Sequence, residues 1–336
     1  MTHASHTALV TGANSGLGFE AAAQLAEDGW GEVILACRSE EKAEAARARL
    51  VERTGKDPFR SLVIDTAEVD AAEEAVREVA ARGQRIDFLL LNAGATATEA
   101  TFTSAGVELT YASTLMGHHA LTLGLLRRGL LAPGARIVYS GSESARDNMP
   151  GFAMHDLAAL AAAHHGGDRA ATIERLFRLE LPEQTPFKNM NEYATAKLVG
   201  AWWVAALAEK LPAGITVHCV SPGANLSTAF ARNAPAAMRL LMLPLMKLLG
   251  GAMGMNGPIA DGARRYLDAF ARPDDDSGHF YATAHPKKLV GPVGRQAESF
   301  PHFADAEGHA AAFAALERLT GVSFEAAVDA PEAATV

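Results

Sequence analysis

Short aliphatic runs separated by longer stretches of helical pattern constrain this chain more than any other feature of its sequence. The runs are TALVT at 7–11, EVILAC at 32–37, SLVID at 61–65, IDFLLLNAG at 86–94, RIVYS at 136–140, ITVHCVSPG at 215–223 and HFYAT at 279–283. Helical periodicity occupies 19–27, 40–53, 71–82, 107–126, 192–211 and 258–271. Hairpin partners need only a few residues between them, whereas parallel neighbours need a crossover of about a dozen or more, usually a helix. The alternation therefore predicts an α/β chain with a doubly wound parallel sheet. Near-continuous Val, Ile and Leu in the runs suits strands covered on both faces.

The 336 residues, 49% of them hydrophobic and 21% charged, are enough for one large core. The expected organisation is one domain over 1–300 with a helical insertion at 143–191 and a substrate lid at 224–257, followed by a C-terminal helix and tail at 301–336. The insertion holds two short helical patterns broken by Gly166-Gly167 and ended by Pro182 and Pro186, without an obvious core of its own. A net charge of -9 argues against a nucleic-acid partner. Cys37 and Cys219 sit inside apolar runs and read as buried reduced thiols. No secretory pattern opens the sequence, and the apolar stretch 240–255 is broken by Pro244 and Lys247, short of the ~18 to 20 residues a spanning helix needs. A cytoplasmic protein with no integral membrane segment is expected. The pairs His118-His119 and His164-His165 point different ways on a helix and no metal-ligand spacing exists, so no metal site is expected.

Thr11-Gly12-Ala13-Asn14-Ser15-Gly16-Leu17-Gly18 falls where the first strand gives way to the first helix. Glycines there let the backbone approach a pyrophosphate, and the helix N-terminus supplies N–H donors. The TGxxxGxG spacing is not the commoner GxGxxG; its position carries the reading. In NAD-binding folds an acid near the end of the second strand takes the ribose hydroxyls, while an arginine accommodates a 2′-phosphate. Here the strand ends Ala36-Cys37-Arg38-Ser39, a thiol followed by a guanidinium. Arg38, helped by Lys42, can grip a phosphate; a merely solvated Arg38 is the plainer alternative. NADP(H) is expected over NAD(H), since Glu40 and Glu41 sit late for an NAD-type acid.

Tyr193-Ala194-Thr195-Ala196-Lys197 places a phenol and an ammonium on one helix face. A cation within ~4 to 6 Å favours phenolate and can lower a pKa near ~10 by about 1 to 3 units, toward what acid–base catalysis requires. A surface Tyr–Lys pair has the same spacing.

In sequence order come TGANSGLG, Asn92-Ala93-Gly94, a serine after the fifth strand, YATAK, and Ser221-Pro222-Gly223, each at an expected carboxyl strand end. This set resembles the short-chain dehydrogenase/reductase family over nearly the whole chain to about Gly291. ILACRSEEK, GVELTYASTLMGHH, the long gap before Tyr193 and ALERLTG resemble its retinol dehydrogenase and protochlorophyllide reductase branch. The resemblance implies a Rossmann-like fold and hydride transfer between nicotinamide and a carbonyl or alcohol carbon of a small molecule. It implies Tyr193 as proton donor or acceptor, and Lys197 as holder of the nicotinamide ribose and depressor of the tyrosine's pKa. Ser142, rather than Ser140, would bind the substrate oxygen. Asp65 would meet the adenine, Asn92, Ala93 and Gly94 would line the cofactor, and Pro222, Gly223 and Thr228 would lie near the carboxamide. A homodimer is also implied as an option.

Three positions depart from that pattern. Thr114 stands where the family carries an asparagine that supports a proton route, Ser142 and Tyr193 are unusually far apart, and Ala224 replaces a cysteine of protochlorophyllide reductases. Thr114 favours a catalytically weak NADP(H)-binding regulator as one rival reading; a light-dependent pigment reductase is the other, against which Ala224 counts. The Met- and Leu-rich run from Met238 to Met255 suits a lid for a lipophilic substrate; a helix packed on the core, a subunit contact or a membrane-surface contact would have the same composition. Trp202-Trp203 are expected in the core or at a dimer face.

Overall fold

A computed structural model describes residues 3–149, 151–181, 187–224 and 256–325. Its sheet comprises β1 (Thr7–Thr11), β2 (Glu32–Cys37), β3 (Phe59–Val63), β4 (Ile86–Leu91), β5 (Leu131–Ser140), β6 (Thr216–Val220), β7 (Phe280–Thr283) and β8 (Val293–Arg295). Their order is β3-β2-β1-β4-β5-β6-β7-β8. The pairs through β7 are parallel, and β8 closes the edge antiparallel to β7. This is the doubly wound parallel sheet that the alternation of runs and helical patterns predicts, with the Rossmann-like order that the resemblance implies. β3 begins at Phe59, ahead of its aliphatic run. β8 was not expected, because three residues after Gly291-Pro292 carry no alternation to read.

The helices are α1 (Gly16–Glu27), α2 (Glu40–Thr54), α3 (Val69–Ala81), α4 (Leu109–Tyr111), α5 (Gly117–Arg127), α6 (Leu157–His164), α7 (Arg169–Phe177), α8 (Asn189–Ala208), α9 (Ile259–Asp268) and α10 (Ala306–Thr320). A π-helical segment, Ala112–Met116, joins α4 to α5. Successive strand residues feed opposite cores. Ala8, Val10, Val33 and Leu35 pack with α1, α2 and α9, while Leu9, Ile34, Leu62 and Leu89 pack with α3, α5, α8 and α10. The period-two alternation of strand side chains thus splits each run between two layers of helices. Alanines let the helices lie close; the buried stripe of α2 is Ala43, Ala46 and Leu50. That helix starts on Ser39, whose hydroxyl accepts the Lys42 N–H, and stops at Gly55 in the left-handed region.

Trp202 and Trp203 are both buried in the core with their indole N–H groups paired. Trp203 donates to His119 Nδ1 at 3.0 Å and Trp202 to the His302 carbonyl at 2.7 Å. A Cβ on Gly308 would come within 2.8 Å of the Trp202 ring, so α10 lies directly on that indole. The segment carrying α6 and α7 is likewise fastened down. Phe177 stacks on Tyr111 with ring centres 4.0 Å apart, and Ile173 and Leu176 join the core beneath α8 and α10. The buried Glu192 carboxylate accepts from Tyr111 at 2.5 Å and pairs with His155 at 3.0 Å.

The chain runs outward from β1 to β3, then returns to β4 on the other side of β1. Ligands of open α/β sheets bind outside the carboxyl ends of the strands at such a reversal. Thr228, the run Met238 to Met255 with most of the expected lid, Pro182, Pro186 and the tail beyond Glu325 lie outside the described residues. Among the described residues no helix is long and apolar enough to cross a membrane.

Candidate active site

The turn after β1 is shaped by what its glycines omit. Gly12 and Gly16 have φ of 68° and 61°, a region that disfavours other residues. A Cβ on Gly18 would sit 2.5 Å from the Gly12 carbonyl and 2.6 Å from Asn92 Nδ2, so only glycine lets α1 close on the turn. No atom of a described residue lies within 4 Å of a Cβ built on Gly16, leaving an open cradle. Ser15, the N-cap of α1, makes no side-chain cap, and the first turn holds no acid. Among the described residues no side-chain oxygen caps its N–H groups, which fits a pyrophosphate. Asn14 is half-buried beside this turn, and Leu17 packs toward α9, where a Cβ on Gly262 would meet it at 3.0 Å.

Arg38 is exposed at the end of β2, with no hydrogen bond or ion pair to a described residue. Burial pushes the neighbouring Cys37 thiol up to about 11, which leaves it protonated and without the charge of a carboxylate. Asp65, half-buried after β3, accepts the Ala67 N–H at 3.0 Å. Asn92 is fixed to β1: its N–H donates to Thr11 Oγ1 at 2.9 Å and its Nδ2 to the Thr11 carbonyl at 2.9 Å. The Ala93 N–H also reaches Thr11 Oγ1, at 3.0 Å.

Behind Thr11 stands His118, fully buried. Its Nδ1 faces the Thr114 carbonyl at 2.9 Å and its Nε2 faces Thr11 Oγ1 at 3.0 Å. A carbonyl only accepts, so Nδ1 carries the proton and Thr11 donates to Nε2. Burial pushes this imidazole down to about 3, fixing it neutral. Sequence reasoning did not single out His118 for the site, since its role depends on a strand distant in the chain.

At the ends of β5 and β6 the expected catalytic residues converge. Lys197 is buried and donates to the Ser140 carbonyl at 2.7 Å. Its Nζ lies 5.6 Å from the Tyr193 ring centre and 5.2 Å from that of Tyr139. Ser140 itself pairs with Tyr266 Oη at 2.7 Å, whereas Ser142 is half-buried and interacts with the Tyr193 phenol. Gly223, with φ of 78°, donates its N–H to Ser221 Oγ at 3.2 Å, and Pro222 precedes it. Thr114 lies in the π-helical segment, 1% exposed, and its hydroxyl has no partner among the described atoms. It faces Gly94, whose Cβ would be 3.4 Å away. Buried orphan hydroxyls are uncommon, and π-helical segments recur at functional sites.

One expectation about this centre is corrected. The Tyr193 phenol lies above its ordinary range, not below it: burial raises it, Ser142 opposes, and the Glu143 charge raises it further. The i,i+4 spacing brings the ammonium near the ring but does not outweigh desolvation. Burial also pushes Lys197 down, to about 8, with Cys219 opposing. An unfolded chain holds that proton more tightly, so the folded form is penalised at neutral pH and recovers stability as pH rises from about 8 to 10.5. Lys197→Met is therefore expected to stabilise the ligand-free protein by about 1 to 3 kcal/mol at pH 7, with the gain gone near pH 11. Urea unfolding at the two pH values checks this; no gain at pH 7 contradicts it.

Residues 6–163 match the family described as short chain dehydrogenase. The chain is 32% identical over 231 residues to the WW domain-containing oxidoreductase of Drosophila melanogaster, covering 68% of this chain and 51% of that one. It is 30% identical over 261 residues to the chloroplastic protochlorophyllide reductase of Chlamydomonas reinhardtii (74% and 62% covered), and 28% identical over 286 residues to dehydrogenase/reductase SDR family member 13 of Bos taurus (84% and 67%). It thus spans about half to two thirds of the length of these curated relatives. Among solved structures, a short chain dehydrogenase from Burkholderia cenocepacia in complex with NADP superposes with a TM-score of 0.53 at 25% identity, covering 82% of this chain and 94% of that one. An uncharacterized protein from Mycobacterium paratuberculosis superposes with a TM-score of 0.65 at 23% identity, with 96% of each chain covered.

Proposed function

The chain belongs to the short-chain dehydrogenase/reductase family of oxidoreductases, and on that footing we propose that it reduces a carbonyl, or oxidises the matching alcohol, of a lipophilic small molecule with NADP(H). The observation that carries this reading is the meeting of Ser142, Tyr193 and Lys197 at the strand ends beside an uncapped, glycine-turned helix N-terminus. When bound, the nicotinamide dinucleotide supplies or takes the hydride. The Gly12–Gly18 turn and α1 would hold its pyrophosphate, Asp65 its adenine, and Asn92 to Gly94 with Pro222, Gly223 and Thr228 its nicotinamide half. Ser142 orients the substrate oxygen, and Tyr193 gives it a proton in reduction or removes one in oxidation. Lys197, anchored on the Ser140 carbonyl, favours the phenolate left behind.

Arg38 is the proposed grip for the 2′-phosphate, and the NADP of the Burkholderia cenocepacia neighbour supports that choice. Initial rates with a panel of ketones and aldehydes test the function, and Arg38→Ala tests the cofactor. The variant is expected to raise KM for NADPH by about 10- to 100-fold while leaving NADH use nearly unchanged, the loss of one or two charge-assisted bonds. Equal loss with both cofactors would remove the NADP(H) assignment. The similarity to protochlorophyllide reductase favours a pigment reductase as the second reading, although Ala224 stands against it; turnover compared in darkness and in light separates the two.

A further inference from the structure

We infer that Glu143 is a positioning residue whose carboxylate clamps the turn carrying Ser142 to the Ser221–Gly223 turn and sets a fixed negative charge beside the Ser142–Tyr193 pair. The inference rests on the reading of Tyr193 as the proton donor. Glu143 is 4% exposed and follows Ser142 directly, in a short 3-10 turn that Ser142 caps. Its partners come from three other elements. Ser221 Oγ donates to Oε2, Thr283 at the end of β7 donates from its N–H at 3.4 Å and its hydroxyl at 3.3 Å, and Arg265 of α9 lies 3.7 Å away.

These contacts have a definite polarity. Ser221 Oγ accepts the Gly223 N–H at 3.2 Å, so its own proton goes to Glu143. A line of donors therefore runs from the Gly223 backbone through Ser221 into one carboxylate oxygen, a pattern that suits an ionised acid. Arg265 completes the clamp by donating to the Ser221 carbonyl at 3.2 Å. Arg146, 2% exposed, is the other cation of the cluster, held by Gln296 at 2.8 Å, the Lys288 carbonyl at 3.2 Å and the Thr283 carbonyl. A carboxylate buried with two guanidinium groups is compensated in place, whereas a neutral residue there would leave them short of an anion.

Tyr193 is faced by Lys197 on its own helix, by Tyr139 of β5, by Ser142 and Glu143 in the turn after β5, and by Tyr266 of α9. Among these, Glu143 brings the negative charge, and it pushes the phenol up. In reduction the phenol must be protonated, so activity falls as pH rises through its pKa. Removing the charge lowers that pKa and draws the alkaline limb to lower pH.

The experiment compares Glu143→Gln, Ser221→Ala and Tyr193→Phe with the parent protein. The readouts are the pH profile of kcat for a reduced ketone, and NADPH Kd from fluorescence quenching, which needs no turnover. Glu143→Gln is expected to shift the alkaline limb downward and to weaken NADPH by about tenfold; Ser221→Ala is expected to weaken NADPH similarly with the limb in place. A Glu143→Gln variant that lowers kcat evenly at every pH, or leaves NADPH Kd unchanged, overturns the inference. If that variant does not fold, Glu143→Asp keeps the charge but draws it back, so NADPH weakens while the limb stays; unchanged NADPH affinity then overturns it. Full activity of Tyr193→Phe instead removes the proposed function itself, and the Kd arm still judges the clamp.

Discussion

Tyr193→Phe is expected to cut kcat by about 10²- to 10⁴-fold while leaving NADPH Kd within about threefold. The substitution deletes one oxygen from a half-buried ring, and its noted hydroxyl contact is Ser142, so little structural cost follows. The effect should therefore fall on the chemical step, since substrate oxygen would lose its proton source while the glycine turn and the Asn92–Thr11 bonds stay intact. Single-turnover rates with a reactive ketone measure the first quantity and fluorescence titration the second. A variant that retains its rate removes Tyr193 from the reaction.

The second large effect is loss of stability in acid. Burial pushes His118 down to about 3 and both His119 and His218 down to about 4, so all three stay neutral in the fold. In the unfolded chain each takes a proton near ~6.5. Their contribution is complete above that value and is lost as pH falls through the window down to about 4. Glu108 works the other way: fully buried, it is raised to about 7 from 4.5, so the fold binds its proton first and gains stability between those values. Three histidines against one carboxyl leave about two net protons between pH 6.5 and 4.5, a slope on the order of 2 to 3 kcal/mol per pH unit. Over those two pH units the loss is about 4 to 6 kcal/mol, a large share of the ~5 to 15 kcal/mol by which a domain is ordinarily stable. Urea midpoints at pH 7, 6 and 5 measure the slope. His218→Val should reduce it by about one proton and raise stability at pH 5, because both ring nitrogens of His218 are buried without a hydrogen-bond partner among the described residues. An unchanged slope in that variant would contradict the assignment.

The sheet was legible because its strands are buried on both faces and therefore apolar nearly throughout, as in EVILAC and IDFLLL. β8 was not, because its hydrogen bonds to β7 and not its composition make it a strand. The glycine turn and the Tyr193–Lys197 face could be read from local spacing alone. What spacing could not provide was the partner of each group. Lys197 ends on a carbonyl of β5, and His118 joins β1 to the π-helical segment, both across long stretches of chain. That segment left no mark either, since one extra residue in a helical turn hardly alters a hydrophobic pattern. The phenol's direction was misread for a related reason: neighbours along a helix are visible in a sequence, but desolvation comes from everything packed around them.

Glu192 and Tyr193 are adjacent yet serve different neighbours, since successive helix residues project about 100° apart. One carboxylate holds Tyr111 and His155, while the next side chain turns toward Ser142. Trimming the chain between β5 and α8 would strip Glu192 of His155 and Tyr111 of its stacked Phe177, one residue from Tyr193. The stretch is thus part of the foundation on which the helix carrying Tyr193 and Lys197 rests, and a stripped-down scaffold would have to replace Glu192, Tyr111 and their surroundings together.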